Sequence, residues 1–123
     1  MSTQGAQIRE TYVAGADLSE AQFRFVTAGA TGVTLTGAGE AADGVVINDP
    51  ASGGAATVVV FGRVIVEAGG EITAGAEVTA GANGVVVAAT TSDIVLGKAA
   101  EAAVEGQLIT VDFFKGGNEV PTA

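Results

Sequence analysis

The sequence predicts an all-β domain, a small barrel or sandwich of short strands. Short clusters of Val, Ile, Leu and Phe recur between turn residues, about every eight to twelve positions. Several clusters alternate apolar and polar residues with period two, which puts one face of a strand in a core. The Ala-rich stretch 98–104 is too short, between its flanking glycines, to hold as an isolated helix and is expected to be extended.

Taken in order, residues 1–22 are mixed and polar, with Ile8, Tyr12, Val13 and Leu18 as isolated apolar points. They predict an irregular arm rather than a strand. Within it Asp17 offers a helix N-cap with Glu20 three positions on, enough for a single helical turn. The domain proper is expected over 23–115. Phe23 and Phe25 fall on one face of a strand and Arg24 on the other; Val33 and Leu35 repeat the alternation. Residues 44–48 form a short apolar run, stopped by Asp49-Pro50 and Gly53-Gly54. The run from Ala56 to Glu67 is apolar on both faces. It predicts a strand buried on both sides, with Gly62 marking a bulge or bend at a barrel corner.

Two near-identical six-residue units follow, 72–77 and 78–83, each carrying Thr-Ala-Gly-Ala. A hexapeptide repeat would suggest a parallel β-helix, but two copies are too few to bury a solenoid core. Two short strand pieces divided by a turn at 74–76 are expected instead. Asn83-Gly84 signals a hairpin, and Thr91-Ser92-Asp93 a further turn before residues 94–97. Residues 107–114 close the domain with Ile109, Val111 and Phe113 on an apolar face, and Leu108, Thr110, Asp112 and Phe114 on the other. From residue 116 the tail is expected to be loose.

The chain has 123 residues, suited to one domain. Its 24 Ala and 19 Gly against six aromatics imply thin, closely approaching layers. It has no cysteine, so neither disulfides nor thiolate metal sites contribute. It lacks a signal-peptide pattern and any apolar stretch approaching 18 residues, so synthesis in a cytoplasm and no membrane span are expected. A net charge of −9 disfavours nucleic acid and anionic lipid as partners. That charge serves solubility, or else an acidic face turns outward while the few basic residues meet a partner.

The side chains carry little chemistry. There is no histidine, so the usual general base and metal ligand are missing, and neither a serine triad nor a thiol nucleophile can be assembled. The four serines, Ser2, Ser19, Ser52 and Ser92, lie in the leader or in turns, where hydroxyls bond local backbone. The acids are spread singly, without a calcium-loop pattern, and read as solvated charges that discourage edge-to-edge aggregation. No catalytic residue, metal or cofactor is expected. Phe113 and Phe114, adjacent on a strand, point to opposite faces, so one needs cover from the arm or from a neighbouring subunit.

Several segments in order resemble the capsid decoration (cement) proteins of tailed phages. They are residues 17–26 (DLSEAQFRFV), 44–50 (GVVINDP) with 53–58 (GGAATV), 62–78 (GRVIVEAGGEITAGAEV), and 96–99 (LGKA) through 105–111 (EGQLITV). The resemblance covers about residues 17–114; the arm has no counterpart in it. It implies a β domain on the outside of the mature capsid of a virion, bound to the major capsid protein. It also implies clustering with copies of itself, as a trimer, to reinforce the shell. The arm, through Gln7, Ile8, Arg9 and Tyr12, is then expected to order on the capsid, with Arg9 and Tyr12 as anchors. Arg24, Phe113 and Phe114 complete the expected interface. Two rival readings remain: a biotinyl- or lipoyl-like carrier module, in which Lys98 would be the modified lysine, and another fibre, adhesin or surface-layer domain.

Overall fold

A computed structural model describes residues 7–90 and 94–119, except the side chains of Gln7 and of residues 114–119. Among the described residues nine strands form one sheet: β1 (Gln7–Val13), β2 (Arg24–Gly29), β3 (Gly32–Leu35), β4 (Gly44–Val46), β5 (Ala55–Glu67), β6 (Glu77–Ala80), β7 (Val86–Ala88), β8 (Ile94–Ala99) and β9 (Leu108–Glu119). The order is β3-β2-β4-β5-β9-β8-β6-β7, with β1 also on β5, and every strand pairing is antiparallel. The all-β expectation holds.

Strand β5 organises the rest. Val58 and Val59 are paired with β1 on one side and β4 on the other, and Phe61 and Gly62 with β1 and β9. Strands β4 and β9 therefore follow one another along a single edge of β5, and β1 has the other edge to itself. The pairing steps from Ile8↔Phe61 to Arg9↔Val59, leaving Val60 without a partner. Gly62 beside it has φ 115°, the bend expected at this glycine. This bulge shifts the alternation of faces. Val59 faces the same core as Val64 and Val66, while Ala56, Val58 and Val60 face a second one.

The larger core lies inside the curved sheet, with Phe25, Val45, Val59, Val66, Val78, Val86, Leu96 and Val111 from seven strands all buried. The curl is closed where β2 meets the β6–β7 hairpin. Asn83 and Gly84 take φ 61° and 79°, as a tight hairpin turn requires. A Cβ on Gly84 would stand 2.5 Å from the Phe25 carbonyl oxygen, so only glycine allows this approach. The smaller core lies outside the sheet, where Ala14, Leu18 and Ala21 cover Val26, Val46, Ala56 and Val58.

Four details depart from the sequence reading. The leader, expected to be irregular, forms strand β1 over residues 7–13. The backbone of β5 supplies its partner, which the leader's own apolar pattern does not announce. The helical turn expected at Asp17 is an Asx turn, with Ser19 N–H donating to Asp17 Oδ1 at 3.1 Å, followed by a β-turn closed by Ala21 N–H to Leu18 O at 3.0 Å. Hydrogen bonds from Ser19 hold the Asp17 carboxyl below its ordinary pKa. Phe23 has φ 68° and precedes β2, so Phe25 alone of the pair enters the core as a strand residue. Strand β9 also continues to Glu119, past the expected limit at 115. The turn expected at 91–93 lies outside the described residues.

Candidate interaction surfaces

Two places gather polar side chains or leave apolar ones uncovered. The first is a cleft of about 380 Å³ at the sheet closure, lined by Arg24, Glu67, Gly69, Asn83, Glu105 and Gly106 among others. Arg24 projects from β2 away from the core. One guanidinium nitrogen lies 3.2 Å from Glu67 Oε1 at the end of β5, and another donates to the Asn83 carbonyl at 3.5 Å. Its Nε is buried with no partner. The Glu67 N–H also donates to the Phe23 carbonyl at 2.9 Å. Arg24 thus clips β2 to β5 and to the hairpin. The cleft offers one engaged cation and two carboxylates, with no nucleophile and no acid–base pair.

The second place is the outer face of the sheet. Over the first half of β5 this face is covered by the smaller core. Past the bulge the same face carries Phe61, Arg63 and Ile65, all exposed, with Phe61 at 52% and Ile65 at 44%. Leu108 on β9 is exposed at 52%, and Ile8, opposite Phe61 on β1, at 55%. Four of the chain's exposed large apolar residues therefore share one bare stretch of sheet. Between them Arg63 Nε donates to Asp112 Oδ1 at 2.8 Å, a pairing that raises the guanidinium pKa further. Both side chains are more than half exposed, so this pair adds little stability.

The expected interface residues divide. Ile8 and Arg9 are exposed on β1, and Tyr12 is half-buried against the smaller core, its hydroxyl donating to Glu10 at 3.2 Å. Gln7 pairs with Gly62 through the backbone. Arg24 is engaged in the clip described above. Phe113 is not a surface residue: it is 2% exposed, and its ring lies 5.8 Å from that of Phe25 inside the larger core. Phe114 sits opposite Phe61 in the backbone register. Lys98 lies within β8, opposite Glu77 and Asp112. A carrier lysine needs a hairpin tip, so the carrier reading loses its residue. Among the described residues no cluster of three or more carboxylates could hold a metal ion, and no helix is long and apolar enough to cross a membrane.

No protein-family model and no curated protein matches the chain. Among solved structures, the N base of the head fibre gp8.5 of bacteriophage phi29 superposes with a TM-score of 0.73. The match covers 94% of this chain and 100% of that one, at 23% identity. The two share a fold. The likeness reaches across nearly the whole chain, whereas the resemblance to cement proteins began at residue 17 and has no family match behind it.

Proposed function

We propose that this protein is a structural component of a bacteriophage head, bound to the outside of the capsid and working through contact alone. The full-length likeness to a head-fibre base carries this reading. The sequence supports it independently: with neither histidine nor cysteine, the chain lacks the residues on which most catalytic and metal sites are built. The partner is then the major capsid protein, met by residues of β1. A capsid-bound protein that recognises the assembled lattice, and not separated subunits, stabilises the shell by mass action. Reinforcement of this kind is the cement role; presenting a further fibre is the second reading, favoured by the kind of protein that shares the fold.

Adding the purified chain to heads that lack it tests both readings. Saturable co-sedimentation with intact heads, and none with dissociated capsid subunits, is the expected result. A higher temperature of DNA release from the loaded heads supports reinforcement, and an unchanged one leaves the fibre-base reading. No binding to heads overturns the proposal.

A further inference from the structure

Four neighbouring strands of the bare face each contribute one charged residue to a single row. The register places Glu77 of β6 opposite Lys98 of β8, Lys98 opposite Asp112 of β9, and Asp112 opposite Arg63 of β5. All four are exposed, and directly opposed residues project from the same face. With strands about 4.8 Å apart, the row is about 14 Å long. Its signs alternate: minus, plus, minus, plus. The Arg63–Asp112 link is closed within the chain, whereas Glu77 and Lys98 enter no ion pair with a described residue.

A row in this order is its own complement when turned end for end. A two-fold axis running along the strands, between two facing copies, sets Glu77 against the second copy's Arg63 and Lys98 against its Asp112. Counted from both copies, all four meetings are of opposite sign. A two-fold axis along the row would set like against like. The favourable axis also keeps positions along the strands unchanged. It reverses the order of the strands, so that β5, which carries Phe61 and Ile65, faces β6 of the second copy, and β9 faces its β8.

We infer that two copies of this chain pair through this face in an isologous contact, the charge row setting its register. Charges scattered along a bare sheet also discourage indiscriminate sticking, but that purpose needs no particular order of signs. The end-for-end complement is what self-recognition adds. Four strands over about six residues span roughly 20 by 20 Å, which is below the area of a standard interface. The pairing is accordingly weak in solution and is strengthened where many copies share one surface. It is independent of capsid binding, and distinct from the three-fold clustering that the cement-protein resemblance implies.

Sedimentation velocity of the full chain at up to about 1 mM, in about 0.15 M salt where surface pairs are partly screened, tests the inference. The wild type is expected to reach a dimer, and Lys98→Asp and Asp112→Lys each to weaken it at least about tenfold. Mixing those two variants should restore pairing, because the row with Lys98→Asp meets the row with Asp112→Lys with every contact of opposite sign. The double variant Lys98→Asp/Asp112→Lys, again its own complement, should dimerise alone even if one single variant fails to fold, as circular dichroism would reveal. A wild type monomeric throughout, folded single variants that pair as tightly as wild type, or a mixture and double variant that stay monomeric would each overturn the inference.

Discussion

The two Thr-Ala-Gly-Ala units have the same sequence and opposite fates. In the first, Ile72 is buried but Thr73, Ala74 and Gly75 are exposed, and Ala76 N–H closes a turn onto the Thr73 carbonyl at 3.0 Å. Gly75 takes φ 83°. In the second, Val78, Thr79, Ala80 and Gly81 are all buried, the first three lie in β6, and Gly81 has φ −98°. Identical segments have identical intrinsic preferences, so the difference lies in what surrounds them. The first unit leaves Gly69-Gly70, bonds through Ile72 to Ala103, and then turns where it meets only the last residue of β8, Gly75 N–H donating to the Ala99 carbonyl at 2.8 Å. The second arrives already paired to β8, and the turn at Asn83-Gly84 folds β7 onto its other edge. Strand formation here is a property of the available partners.

A charge placed at matching positions should separate the two copies most. Ala80→Asp puts a carboxylate in the larger core and is expected to cost several kcal/mol or prevent folding. Ala74→Asp lies on an exposed turn and should stay within about 0.5 kcal/mol of wild type. Urea denaturation of both variants measures the contrast; similar losses would mean that the first unit is buried as well. The glycines sharpen the comparison at smaller scale. Gly75→Ala faces open space but must hold a positive φ, at a cost of about 1 kcal/mol. Gly81→Ala has an ordinary backbone, but its Cβ would lie 2.9 Å from a Val87 methyl and 3.1 Å from a Val85 methyl. Val87→Ala should therefore relieve part of the Gly81→Ala loss, a coupling of about 0.5 kcal/mol or more, and leave the Gly75→Ala loss unchanged. Denaturation of the three single and two double variants, beside wild type, supplies both cycles.

What the sequence revealed follows the same division between local and distant causes. The apolar face Ile109–Val111–Phe113 was legible because β9 has one side in the core, and a period-two pattern reports that directly. The burial of the first half of β5 on both faces, and its bend at Gly62, were legible from an apolar run with a glycine inside it; the second half departs from that expectation, because past the bend nothing covers Phe61, Arg63 and Ile65. Strand β1 was not. Its Ile8 and Val13 are each 55% exposed, so its apolar residues mark no buried face, and β5 alone makes it a strand. The clip was hidden for a related reason: Arg24 and Glu67 stand 43 residues apart, and only the closure of the sheet unites them. The charge row needs the register of four strands, which no window of the sequence contains.

The smallest expected difference between the two units is also the one that runs against intuition. Thr79 is 1% exposed, and its hydroxyl oxygen is buried with no hydrogen-bond partner. The side chain has the shape of valine, so Thr79→Val keeps the packing while removing a polar group that lost its water on folding. An unpaired buried hydroxyl costs about 1–3 kcal/mol, so this substitution should stabilise the fold by about 1 kcal/mol. Thr73→Val, at the matching exposed position, changes neither packing nor desolvation and should move stability by less than about 0.5 kcal/mol. The urea midpoint, read at unchanged slope, decides between the two accounts of Thr79. A rise places its hydroxyl in a dry core, whereas a fall of about 1 kcal/mol would mean that Thr79 makes a hydrogen bond in solution and that β6 is less tightly enclosed than its neighbours imply.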